Sequence, residues 1–278
     1  MAATAGHALE LLTLAVDRLD AGAWSAGDVA ITLGAPAPGR ISARLSGRGL
    51  VLPPPLDTLR DVSVDCPLAE VAEASIVCAE ATLRATDEDR VPMELPLAMG
   101  LERDAGGWRL RLDARELDPA PLWRLAAAGG RLPGIEFAAG GLSVSLVLGP
   151  GGAASSANVR ARLSGATFSD PSGLHAGEDL DARLDAVVTR AAGGWRATAT
   201  LATDAGQAYL DPIFVDAAAA PITLAAEADL ADGEPARSSV SFRIRHENVA
   251  DVAGTLSLED VAIRSLDLEI PSTPMAAV

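Results

Sequence analysis

Apolar and polar residues alternate with a period of two along most of the chain. Over 108–114, Trp108, Leu110, Leu112 and Ala114 stand on one side and Arg109, Arg111 and Asp113 on the other. The same rhythm sets Leu142, Val144, Leu146 and Leu148 against Ser143, Ser145 and Val147, and Val159, Ala161 and Leu163 against Arg160, Arg162 and Ser164. It returns with Leu180, Ala182, Leu184 and Ala186, with Ile222, Leu224, Ala226 and Ala228, with Val240, Phe242 and Ile244, and with Leu266, Leu268 and Ile270. Successive side chains of a strand point to opposite faces, so each segment reads as a strand with one wet and one apolar face. That is the signature of an antiparallel sheet. Similar patterns occur at 29–33, 41–47 and 91–99, and the chain as a whole is expected to hold on the order of a dozen or more strands. In the last of these, Pro92 and Pro96 lack ladder donors, so it is expected at an edge or beside a bulge.

Turn chemistry separates the strands. "ERDAGG" at 102–107 and "RAAGG" at 190–194 each precede a Gly-Trp-Arg strand start, at Trp108 and Trp195, and read as hairpins whose glycines supply positive φ. "ARLSG" recurs at 43–47 and 161–165, at a different offset from the tryptophans, which fits a meander with drifting loops better than a fixed-period solenoid. One helix is expected at 118–129, with Asp118 as cap, Pro119 in the first position, Leu122, Trp123 and Leu125 on its apolar side, and Gly129 as stop. A second short helix is expected at 67–74. Residues 169–180 read as a polar connection, and 271–278 as a loose tail.

Composition narrows the functional classes. Apolar residues make up 49% of the chain but aromatics only 3%, so the apolar face is mostly Ala, Leu and Val. The net charge is −16, and the arginines are scattered singly along strands, which argues against a nucleic-acid partner. No run approaches the ~18 apolar residues of a membrane-spanning helix, and the first residues lack the basic region of a signal peptide. Taken literally, that start places the chain in the cytoplasm.

No catalytic, cofactor or metal-binding constellation stands out. Ser172, His175 and Asp179 lie close in sequence, but a loop of Ser, Gly, Asp and His is ordinary turn chemistry. Asp87, Glu88 and Asp89 read as a solvated hairpin tip, and Asp204, Asp211 and Asp216 lack the spacing of a dedicated calcium loop. The histidines, His7, His175 and His246, match no zinc spacing with the two cysteines. Cys66 and Cys78 read either as a disulfide, stabilising by roughly 3 kcal/mol, or as two buried thiols.

The stretch "GQAYLDPIFVDAAAAPITLAAEADL", 206–230, resembles the YdbH-like branch of the AsmA-like envelope proteins, the repeating β-groove family linked to phospholipid transport. The matching features are Gly206, Tyr209, Leu210-Asp211-Pro212 and the strand begun by Pro221, preceded in family order by the cysteine pair, the Trp108 strand, the Asp118-Pro119 helix and "LDARLDAVV". The resemblance covers most of the chain and rests on order and texture. It implies a mostly β fold, an elongated, twisted antiparallel meander curled into a groove, with one or two short helices. It further implies a periplasmic, inner-membrane-anchored, non-enzymatic protein that passes phospholipid acyl chains between the two membranes and works with envelope proteins of both. On this reading residues 1–278 are a single groove segment of a longer protein. The expected groove residues are Val144, Leu146, Ala161, Leu163, Leu184, Ala186, Leu224 and Ala226, each in the apolar phase of its strand. The alternative expectation is a closed β-sandwich serving as a binding or scaffolding module of the envelope.

Overall fold

The structure, a computed structural model, describes residues 11–20, 25–51, 59–86, 92–127, 134–149, 155–191, 193–231, 237–247, 249–259 and 262–270. The hairpin tip at Asp87–Asp89, His7, Gly129 and the tail 271–278 lie outside the described residues. Among the described residues the fold is mostly β: one long antiparallel sheet of 16 strands, not closed into a barrel, with a single short helix. Strands follow one another in sequence order, and only the short β12 stands off the path, paired with β11. The meander expected from the period-two pattern is thus present, with more strands than the alternation alone revealed.

The chain groups into two compact units. The first holds β1 (Leu11–Asp20), β2 (Ser25–Ala37), β3 (Arg40–Val51), β4 (Asp61–Ala72), β5 (Ser75–Thr86) and β6 (Pro92–Asp104). A row of apolar residues, Leu14, Ile31, Leu45, Val64, Leu83 and Leu95, pairs residue to residue across all six. The buried centre is small: Cys66, Ala69, Cys78 and Ala81, flanked by Ile41, Ala43, Ile76, Leu97 and Met99. Cys66 and Cys78 form a disulfide with Cα atoms 6.1 Å apart.

Residues 67–74 are not a helix. They form the end of β4 and the turn into β5, with Ala69 opposite Cys78 and Val71 opposite Ile76. Ala and Glu favour a helix in isolation, but pairing with β3 and β5 and the disulfide override that weak preference. Pairing of β4 with β3 is irregular between Ile41 and Ala43, and the extra β4 residues are Pro67 and Leu68. The register of β5 against β6 shifts between Cys78 and Ala81, so Pro96, opposite Thr82, lies beside a bulge, whereas Pro92 opens the strand in regular register opposite Thr86.

The second unit holds β7 (Gly107–Leu117), β8 (Glu136–Leu148), β9 (Ser156–Ser169), β10 (His175–Ala191), β11 (Gly194–Leu210), β12 (Ile213–Asp216), β13 (Ile222–Ala231), β14 (Arg237–His246), β15 (Ala250–Glu259) and β16 (Ala262–Glu269). Between β7 and β8 in the chain runs helix α1 (Pro119–Ala127), which from Pro121 onward groups with the first unit. The Asp118 carboxylate accepts a hydrogen bond from the Ala120 N–H at 2.9 Å, which makes it the expected cap. The β10–β11 hairpin closes with Ala191 opposite Gly194 and Gly193 at φ +80°. Trp195, one of the two echoing tryptophans, carries the Arg190 guanidinium 5.1 Å from its ring centroid. Its counterpart Trp108 is 46% exposed.

Candidate functional site

Direct cross-strand partners share a face, so register decides which side chains stand together. One row runs Ala114–Val144–Ala161–Leu184–Leu201–Leu224–Ile244–Val252 through β7, β8, β9, β10, β11, β13, β14 and β15. A second runs Leu112–Leu146–Val159–Ala186–Ala199–Ala226–Phe242–Gly254–Leu268 and reaches β16. Leu163 stands in the next row, between Leu142 and Ala182. All eight residues singled out by phase therefore lie on one face of the second unit.

That face is apolar without being sealed. Its members are half-buried, and Leu201, Leu266 and Leu268 are 40%, 50% and 56% exposed. No large side chain is fully buried among the described residues. The rows hold more residues than the eight expected to line a groove. Leu201, Ala199 and Val159 join the same rows, and the alternation in "GGWRATATLATD" and "NVRARLSG" already carried them.

The band has a defined end. Each of β7–β11 carries one residue at positive φ where the register slips: Glu116, Gly140, Gly165, Asp179 and Gly206. Each slip adds a residue, so the inward phase changes parity, from Val159, Ala161 and Leu163 to Ala166 and Phe168 in β9. Beyond the slips the sheet has its own small core of Ala166, Phe168, Ala208, Val215 and Ala217, with the Phe137 and Phe168 rings 5.7 Å apart. Strict alternation from the sequence stops at this line because it has no place for an inserted residue.

The opposite face is polar and laced with ion pairs. Arg196 meets Asp229 at 3.0 Å, Arg243 meets Asp251 at 2.7 Å, and Arg160 meets Asp185 at 3.3 Å. The Arg243 and Arg111 guanidiniums hold the Asp251 and Asp113 carboxyls below their ordinary range.

Ser172, His175 and Asp179 do not assemble. Both Ser172 Oγ (2.7 Å) and His175 Nδ1 (2.6 Å) bond to Asp170 Oδ2, while the Leu174 and His175 N–H groups donate to Asp170 Oδ1. The His175 hydrogen bond, followed by that of Ser172, holds the Asp170 carboxyl well below the usual carboxylate range. Asp179 lies in β10, its N–H directed at Thr167 Oγ1. The connection between β9 and β10 is only residues 170–174, since His175 already opens the strand. Asp204, Asp211 and Asp216 are engaged by Arg183, the Tyr209 hydroxyl and the Gln207 amide. No group of metal-ligating side chains occurs among the described residues. No protein-family model, curated protein or solved structure matches the chain.

Proposed function

We propose that this chain is a non-enzymatic lipid-transfer segment whose apolar sheet face carries phospholipid acyl chains through the bacterial envelope. The observation that carries the reading is the apolar face of β7–β16, continuous in register across nine strands and open at Leu201, Leu266 and Leu268. Nine strands span about 38 Å at the usual interstrand spacing, more than one extended acyl chain needs. Moving about 15 methylenes into water costs roughly 12 kcal/mol. A dry face of Leu, Val and Ala removes most of that barrier by contact alone, and small side chains leave room for the chain. The Cys66–Cys78 disulfide supports an oxidising compartment such as the periplasm. The turn role of Ser172 and His175 fits a protein without chemistry of its own. The likeness to the AsmA-like envelope family points the same way.

Photocrosslinking residues placed in cells at Leu184, Ala226 and Leu163 test the reading. Lipid adducts at all three, and loss of transfer in a folded Leu163→Asp variant, are expected, because an unpaired carboxylate on that path is costly for a passing chain. A folded protein without adducts overturns the proposal. Global unfolding of Leu163→Asp, again without adducts, points to the closed sandwich module instead.

A further inference from the structure

We propose that the polar face of β7–β10 holds a phosphate-binding site built on Arg115, Ser143, Arg162 and Arg183. The site lies on the face opposite the apolar rows and does not depend on the acyl-chain reading. Elsewhere on this face arginines are matched: Arg196, Arg237, Arg243, Arg245 and Arg264 each meet an Asp or Glu. On β7–β10 the pattern breaks. Arg162 stands directly opposite Ser143 on one side and Arg183 on the other. Like charges in opposed positions destabilise a sheet, and Arg162 makes no ion pair among the described residues. Arg115 makes no ion pair either: it is near enough to Asp113 to favour that carboxylate's charged form, but the bond to Asp113 at 2.6 Å is made by Arg111.

These side chains line one shallow depression with Arg111, Arg160, Asp113 and Asp185. Five arginines face two aspartates there, and Asp204, which takes Arg183 at 3.2 Å, raises the acids to three. The local excess is two positive charges in a chain of net charge −16. A phosphate dianion balances that excess. A carboxylate offers two oxygens in one plane, whereas phosphate presents three or more, which suits two uncommitted planar guanidiniums and the Ser143 hydroxyl. The exposure of the arginines makes the interaction salt-sensitive.

The test follows the arginine Nε–Hε resonances of the full chain during titration with inorganic phosphate, at constant ionic strength and against acetate. Saturable shifts of Arg115 and Arg162 with phosphate, and binding about tenfold weaker in Arg162→Gln, are expected for loss of one guanidinium fork. The same variant should unfold at slightly higher urea, because it relieves the Arg162–Arg183 opposition, so weakened binding is separable from misfolding. Co-sedimentation with phosphatidic acid vesicles, whose headgroup is a phosphomonoester, but not with phosphatidylglycerol vesicles, lost in Arg162→Gln, assigns the phosphate to a lipid headgroup. Phosphate shifts without sedimentation assign it to a soluble ligand. No saturable shift with phosphate, equal shifts with acetate, or unchanged binding in Arg162→Gln overturns the proposal.

Discussion

Gly206 occupies φ +85°, and a Cβ there would fall 2.5 Å from the Cα of Leu180 and closer still to the Asp179 carbonyl oxygen. Both the backbone angle and the lack of space demand glycine, and the obstacle is backbone that cannot swing aside. Gly173 has φ +71° with nothing within 4 Å, so it bears the angular constraint alone. Gly206→Ala is therefore expected to destabilise by more than Gly173→Ala, whose cost is about 1 kcal/mol. Urea unfolding of the two variants measures the difference, and equal midpoints would contradict the packing argument. Asp170 gives a second test at this scale. Its folded pKa is depressed, chiefly by the His175 hydrogen bond, so its contribution is present above the unfolded carboxylate value of about 3.9 and is lost as pH falls below it. Asp170→Asn should flatten the acid limb of the stability curve, measured as urea midpoints from neutral pH downward. An acid limb as steep as that of the wild type would mean that Asp170 does not supply it.

At the scale of elements, the β4–β5 pair depends on a covalent tie where its hydrogen bonding is irregular. Both strands carry extra residues near Cys66 and Cys78, and the bonded cysteines are 12 residues apart. Closing a ring of that size stabilises by about 3 kcal/mol in the chain-entropy account. Cys66→Ala with Cys78→Ala should lower the denaturant midpoint by a matching amount, and reductant should affect the wild type alone. An unchanged midpoint would assign the pair's stability to packing of Ala69 and Ala81. The same region shows why some elements were legible in the sequence and others were not. β7–β11, β13, β14 and β16 announce themselves by alternation, because one face is wet. β4 hides behind Pro67 and an Ala-Glu run that suits a helix, and nothing local reveals that β3 and β5 flank it. β1 mixes apolar residues into both phases, as in Leu11, Leu12 and Leu14, and so lacks the rhythm, whereas β15 keeps Val252, Leu256 and Leu258 in one phase but interrupts it with Gly254.

For the second unit as a whole, the apolar rows were legible because phase alone predicts a shared face once strands pair in register. The line of slips from Glu116 to Gly206 was not, since its residues acquire meaning only beside one another. The unit also implies an order of opening. Each strand finds its hydrogen bonds and row contacts in its sheet neighbours, and no large side chain is fully buried among the described residues to bind distant strands together. Stability in such an array is close to a sum of nearest-neighbour terms. Strands β9 to β11 have neighbours on both sides, the longest ladders and the small core around Ala166 and Phe168. β16 pairs with β15, and its Ile263, Leu266 and Leu268 are 67%, 50% and 56% exposed. Native-state hydrogen exchange should therefore show protection that is greatest in β10 and declines stepwise through β13, β14 and β15 to β16. Leu184→Ala should lower protection in its neighbours β9 and β11 more than in β15. A single opening free energy shared by all ten strands would refute the nearest-neighbour account, because it would require a common core binding the strands into one cooperative block.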